Sequence, residues 1–314
     1  MAHPSPPPSL ELPRANLKKV ALLSNTMSGK GAATQAALTA RKILHSHGID
    51  VTDLTGPTPE DSRHLAKTAL HNDAYDALFI CGGDGLVNLV LQSAVDADKP
   101  IGIIPGGTGN DHARELGIPL HAARATRALI SGVITTFDAG LMYTDDGDQR
   151  YFGTIACAGF DSLVTQRTND ISWPKGRARY NVATLIEFLQ FHSVPARVTL
   201  DDDTVIDRHL TMLEIGNTKS YGGGMYITPY ADPHDGVFDL TFVGQMNRMW
   251  AATKMFRMMN GDHEGINEIT HYSAKKIRVD MPGIQAFADG EPFFNCPVTC
   301  EVVPNAVNYI VPRP

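Results

Sequence analysis

The sequence predicts an α/β fold followed by a β fold, a parallel sheet with helices and then a mostly antiparallel domain. Three observations predict it. Up to about residue 131, short apolar runs alternate with helix-length amphipathic stretches, the pattern of βαβ units. Beyond that point apolar runs follow one another closely with few helices between them, the pattern of a sandwich or barrel. Glycine-rich or polar turns recur where the early apolar runs end.

Residues 19–23 open the first strand and run into the turn Ser24-Asn25-Thr26-Met27-Ser28-Gly29-Lys30-Gly31. An alanine-rich helix follows to about His47, and a second strand opens at residues 48–51 and ends at Thr55. Residues 59–71 read as a helix with Leu65, Ala69 and Leu70 on its inner side. Residues 77–80 form a short buried strand that breaks into Cys81-Gly82-Gly83-Asp84-Gly85. Val87, Val90, Leu91 and Ala94 then recur at helical spacing. Residues 100–105 are a fourth strand, ending in Gly106-Gly107-Thr108-Gly109-Asn110-Asp111. Ligands of such sheets sit beyond the carboxyl ends of the strands, and the loops at Asn25, Thr55, Gly82 and Gly106 all leave such ends.

In the second half, strands are predicted at residues 133–143, 151–158, 197–200, 210–215, 238–243, 276–279, 284–288 and 298–303. Helices intervene only at about 178–191 and 248–259. The chain thus divides into a disordered proline-rich tail (1–17), an α/β domain (18–132) and a β domain (133–303), with residues 304–314 returning to the first.

Composition narrows the function. A net charge of −7 and a pI near 5.9 exclude a nucleic-acid binder that works by bulk electrostatics. No apolar run approaches the roughly 20 residues of a membrane span. The proline-rich start lacks the apolar core of a signal peptide. Cys81, Cys157, Cys296 and Cys300 read as buried free thiols, which predicts a reducing, cytoplasmic setting.

A strand that breaks into glycines before a helix brings backbone N–H groups close to an anion. Asp84, the charged residue of that turn, repels a phosphate, so its place implies a metal or a proton-accepting role. Taken alone, the turn is an ordinary tight βα loop. Further pieces accompany it: Asn25-x-x-Ser28-Gly29-x-Gly31, Pro105 through Asp111 continuing to Ala113-Arg114, and Ala158-Gly159-Phe160-Asp161. Gly216-Asn217, Tyr221-Gly222-Gly223-Gly224-Met225, Asp235-Gly236-x-x-Asp239 and Asp289-Gly290-Glu291 follow in the second half.

In this order the pieces resemble the diacylglycerol kinase catalytic family, above all its bacterial soluble lipid kinases, relatives of sphingosine kinases and NAD kinases. The resemblance implies a Rossmann-like domain and a β-sandwich with ATP and Mg2+ in the cleft between them. It implies that Gly82, Gly83 and Gly85 hold the phosphates beside Asn25 and Ser28. Thr55 resembles a nucleotide-contacting threonine, Gly106, Thr108 and Asn110 would line the same pocket, and Asp111 would join a magnesium–water network. Phosphoryl transfer asks for positioning and charge neutralisation more than covalent help. The acceptor would be a lipid hydroxyl, whose proton Asp289 or Asp84 would take. Asp289 is the preferred base, with Glu291 as a metal or nucleotide partner.

Other features have two readings. Asp289-Gly290-Glu291 also fits a β-turn. Asp235-Gly236 fits a hairpin turn, whereas in the family the place of Asp235 and Asp239 resembles a structural metal loop. Lys175, Arg177 and Arg179 are a solvated face or a phosphate contact, with Arg179 the preferred member. The methionine-rich stretch 246–259 packs in a core or touches a membrane through Arg248, Lys254 and Arg257. His263 reads as a loop histidine. Three positions depart from the family: Thr26 replaces a proline, Leu86 a threonine and Leu89 a glutamate.

The predicted activity is ATP- and magnesium-dependent phosphorylation of diacylglycerol or a related, including sphingoid, lipid. Its partners would be a lipid at a membrane surface or in micelles, with transient peripheral contact and no nucleic acid. A soluble-metabolite kinase of the NAD kinase type and a silent nucleotide- or lipid-binding regulator are the alternatives.

Overall fold

The computed structural model describes residues 12–24, 31–159, 193–245, 254, 257–258 and 260–313. Asn25, Ser28 and Arg179, the helix predicted at 178–191 and most of 248–259 lie outside the described residues.

The first domain runs β1 (Lys19–Ser24), α1 (Ala32–Ser46), β2 (Asp50–Thr55), α2 (Pro59–Leu70), β3 (Ala77–Gly82), α3 (Asp84–Ala94), β4 (Ile101–Pro105), α4 (Asp111–Glu115) and α5 (Ala122–Ile130). Its strands are parallel in the order β2-β1-β3-β4. Chain direction across the sheet reverses between β1 and β3, and the loops leaving them diverge there, which opens a crevice at their carboxyl ends. β3 is buried along its whole length and β1 from Val20 on. Both faces of these strands are covered, so they read as continuous apolar runs. β2, at the edge, has no fully buried residue. α2 starts on a reciprocal capping box between Thr58 and Asp61, with Pro59 in its first turn.

The second domain contains β5 (Val133–Tyr143), β6 (Gln149–Phe152), β7 (Ile155–Gly159), β8 (Val194–Leu200), β9 (Thr204–Gly216) and β10 (Phe238–Gly244). It continues with β11 (Ile269–Ala274), β12 (Lys276–Asp280), β13 (Gln285–Ala288), β14 (Glu291–Asn295) and β15 (Val298–Val311). All strand pairs within it are antiparallel. β9 serves both layers of the sandwich: its first half pairs with β8, its second with β7 and β10. Phe152, Val198, Phe238, Leu240, Phe242 and Ile277 fill the space between. The rings of Phe152 and Phe238 stack 5.7 Å apart.

β15 joins the two domains. Thr299 to Val303 pair with β5 and, in part, with β12; after an irregularity, Val307 to Val311 pair with the start of β5. Tyr309 meets Ile101 of β4 in parallel, and Val307, Tyr309 and Ile310 enter the first core.

Three differences from the sequence reading have physical causes. The strand predicted at 151–158 is two strands, β6 and β7, because the N–H groups of Gly153 and Thr154 turn away from the sheet to Asp289. β11 and β14 escaped prediction because their alternation is interrupted, by His271 and Ser273 in one and Pro292 in the other. Asp235-Gly236 is not a hairpin turn. Asp235 accepts the N–H of Val237, and Gly236 donates its own to Asp138 Oδ2 at 2.8 Å.

Candidate active site

Two glycine turns build the floor of the crevice. Gly83, the N-cap of α3, faces Gly107 so closely that a Cβ on Gly107 would stand 2.5 Å from Gly83 Cα. Gly106 donates its N–H to the Gly82 carbonyl at 2.8 Å. The turns after β3 and β4 are therefore bound back to back, and neither tolerates a side chain between them. Asn110, left-handed at φ 54°, closes its turn by exchanging two 3.0 Å hydrogen bonds with Gly107. Thr108 stands exposed on the rim. Thr55 is exposed at the end of β2, in register with Ser24, which is in turn level with Cys81.

Acids gather next to this floor. A Cβ on Gly109 would lie 2.9 Å from Asp84 Oδ2 and 3.1 Å from Asp111 Oδ2, so two carboxylates converge over a residue that has no side chain. Asp111 Oδ1 also accepts the N–H of Gly223, at 2.7 Å. Gly223 sits in a tight loop closed by paired hydrogen bonds between Tyr221 and Met225. Its neighbours Gly222 and Gly224 share its positive φ, a run that only glycine sustains. Burial first, and the charge of Asp84 next, push the Asp111 carboxyl up to about 6 against the pull of the Gly223 and Gly222 N–H groups.

His112 is buried between two acids, Nδ1 3.5 Å from Asp84 Oδ1 and Nε2 3.8 Å from Asp289 Oδ2. Burial alone would lower its pKa, but the carboxylates of Asp289 and Asp84 outweigh that and raise it. Burial would likewise raise Asp84, but His112 outweighs it and holds the carboxyl below its ordinary value. A Cβ on Gly153 would collide with His112 Nε2 at 2.5 Å, so Gly153 makes room for the imidazole.

Asp289 lies at the β13–β14 turn, with φ 52° there and 78° at Gly290. The turn reading and the site reading of Asp289-Gly290-Glu291 therefore both hold locally. The Asp289 side chain is 0% exposed. Its Oδ1 accepts from Thr154 N at 2.8 Å and Thr154 Oγ1 at 2.6 Å. Its Oδ2 accepts from Asn88 Nδ2 at 2.7 Å and Gly153 N at 3.0 Å. Both oxygens of the residue that the sequence reading prefers as the base are thus engaged by donors from within the protein. Glu291 stands at the edge: a Cβ on Gly85 would lie 3.1 Å from its Oε1. Burial raises its carboxyl, and Arg150 opposes the rise.

Asp235 and Asp239 gather elsewhere, near Asp232; burial first, and the charges of Asp235 and then Asp232, raise the Asp239 carboxyl. Among the described residues, no three His, Cys, Asp or Glu side chains are placed to hold a metal on their own. Asp84 and Asp111 still suit Mg2+, which takes one or two carboxylates and completes its shell with water and phosphate oxygens. Of the cations that the membrane reading of 246–259 turns toward lipid, Lys254 pairs with Glu268 and Arg257 with Asp262, while Arg248 lies outside the described residues. His263, read as a loop residue, is buried and stacks on His271.

Sequence reasoning missed His112, Asn88, Thr154 and Arg150. Asn88 had a signal: with Gln92 it forms a polar i,i+4 pair on a largely apolar helix. Gln92 exchanges hydrogen bonds with the backbone of Tyr151, and Asn88 Oδ1 accepts from Arg150 at 2.6 Å. His112 had one as well, an ionisable residue inside the glycine-rich motif.

Residues 19–142 match the diacylglycerol kinase catalytic domain, and residues 154–311 match the YegS C-terminal NAD kinase beta sandwich-like domain. The chain is 41% identical over 310 residues to a diacylglycerol kinase of Mycobacterium tuberculosis, covering 96% of this chain and 98% of that one. The chain belongs to the diacylglycerol kinase family. This kinase is also 28% identical to a diacylglycerol kinase of Staphylococcus epidermidis, over 87% of this chain and 86% of the relative. Its fold matches the crystal structure of a diacylglycerol kinase from Bacillus anthracis with a TM-score of 0.73 at 19% identity, covering 94% of this chain and 97% of that chain. Among the described residues, no helix of the kinase is long and apolar enough to cross a membrane.

Proposed function

We propose that the enzyme transfers the γ-phosphoryl group of ATP to a hydroxyl of diacylglycerol or a closely related lipid, with Mg2+, in the crevice between its domains. The convergence of Asp84 and Asp111 over Gly109, beside two glycine turns at the carboxyl ends of β3 and β4, carries this reading. Backbone N–H groups at the start of α3 suit the phosphates. Asp111 would hold Mg2+, which when bound neutralises charge on the transferred group.

The lipid oxygen forms the new bond to the γ-phosphorus, the bond from that phosphorus to the β–γ bridging oxygen breaks, and ADP leaves. Asp84 takes the hydroxyl proton. His112 holds the Asp84 carboxyl below its ordinary value, which favours the proton-accepting form, the side chain is 19% exposed, and its Oδ2 faces the Gly109 rim. Asp289 holds Asn88, Thr154 and His112 in place and acts on the chemistry through them. Asn25, Ser28, Thr55, Thr108 and Arg179 remain nucleotide contacts in this proposal, and Asp235 and Asp239 a separate structural metal loop.

Labelled ATP offered with diacylglycerol in mixed micelles, and separately with soluble alcohols including NAD, tests the reading. Label should appear on the lipid and fall about 100-fold or more in Asp84→Asn, as for loss of a general base. Label on the soluble acceptors without micelles would replace the lipid kinase with a metabolite kinase. ATP binding with no labelled product would leave a regulator.

A further inference from the structure

Beside Asp111, beyond the Tyr221–Met225 loop, a cavity of about 630 Å³ opens to solvent. Arg114 and Lys219 stand exposed on its rim, and Ile118, Leu120 and Tyr226 form part of its wall. Among the described residues neither cation ends in an ion pair. Arg114 Nε donates to the Gly109 carbonyl at 3.1 Å, which leaves the far side of its guanidinium open. Glu115, the acid that lines the cavity, accepts the backbone N–H of Lys219 at 3.3 Å, and burial pushes its carboxyl up.

The apolar part of the rim is exposed as well. Leu120 is 41% exposed and Tyr226 48%. The chain as a whole carries a charge of −7, whereas in this lining Arg114 and Lys219 outnumber Glu115, whose carboxyl the Lys219 charge pulls down against its burial. Cations beside an exposed leucine and an amphipathic tyrosine suit the headgroup layer of a bilayer, where each meets its preferred depth. A soluble anion would satisfy the cations but leave Leu120 and Tyr226 without a purpose.

We propose that this rim docks the enzyme on an anionic bilayer, with a phospholipid headgroup phosphate seated between Arg114 and Lys219. The proposal rests on the lipid kinase reading for its purpose: Gly223 links the cavity wall to Asp111, so docking would bring the bilayer beside the acids.

The test is sedimentation of the full chain with phosphatidylcholine vesicles, with and without phosphatidylglycerol, in the absence of nucleotide. The wild type should bind the anionic vesicles and release them as salt rises. Arg114→Ala or Lys219→Ala should each weaken binding about fivefold, and the pair about 25-fold. Leu120→Ser with Tyr226→Ser should also weaken it, and inorganic phosphate should not compete. Salt-insensitive binding, a double-alanine variant that binds like wild type, or full competition by phosphate would each overturn the proposal. The salt titration needs no variant, so a misfolded mutant does not blunt the test. Lipid labelling in detergent micelles is scored separately. Labelling with rim-independent binding removes the docking surface alone, and docking without labelling removes the kinase reading alone.

Discussion

Asp111 shows how one position sets a pH dependence. Its carboxyl titrates at about 6 in the folded chain, against 3.8 as the ordinary value. Folding therefore takes up a proton between those values. The stability Asp111 contributes is fully present below about 3.8 and is lost as pH rises through about 6. Asp111→Asn keeps an acceptor for the Gly223 N–H but cannot ionise. In thermal melts the variant should match wild type near pH 4, gain on it through pH 6, and hold a constant lead above pH 7. A two-unit shift corresponds to about 3 kcal/mol, and partial access to solvent cuts the expected lead to about 1 kcal/mol. A lead that ignores pH would show that Asp111 is not the titrating group. Most of the acids at this site were legible in the sequence, because glycine turns at strand ends announce themselves. The closed shell around Asp289 was not, since Asn88 and Thr154 lie 201 and 135 residues away along the chain.

The two glycine turns behave as one element, and substitutions in them should separate by what a new Cβ meets. On Gly107 it meets the backbone of Gly83 at 2.5 Å, and nothing there can yield without moving a whole turn. On Gly85 it meets the free end of Glu291 at 3.1 Å, which can swing aside. Gly107→Ala should lower phosphoryl transfer about tenfold or more, the rate equivalent of the 1–3 kcal/mol that overpacking costs, and Gly85→Ala by about threefold at most. Equal losses in the two would mean that the glycines serve the phosphates rather than each other. Leu86 belongs to the same packing: its Cδ2 would stand 2.8 Å from a Cβ on Gly82, so this departure fills space against the turn. Leu89 is half-buried on α3, whose polar contacts come from Asn88 and Gln92. The parallel strands were readable because burial on both faces makes an unbroken apolar run. β6, β7 and β14 were not, because Asp289 and its turn decide where they stop.

At the scale of the molecule, both domains share their last strand. Periodicity predicted a change of fold and a return of the chain, but no local pattern shows that residues 298–311 form one strand through both halves. Val307, Tyr309 and Ile310 are 2%, 3% and 0% exposed, and they fill the first core beside β4 rather than the sandwich. Burying three such side chains contributes about 5 kcal/mol or more, comparable to the 5–15 kcal/mol by which a typical domain is stable. Removing residues 305–314 should therefore unfold the α/β domain, although every residue of its parallel strands β1 to β4 is retained. Hydrogen exchange read by mass spectrometry should show β1, β3 and β4 losing protection together. Ile310→Ala in the full chain should lower stability by about 2–4 kcal/mol. If the truncated chain kept protection in β3 and β4, β15 would merely cover an edge, and the first domain would fold without it. Loss of protection confined to β5 would mean the same, since that strand pairs directly with the missing residues.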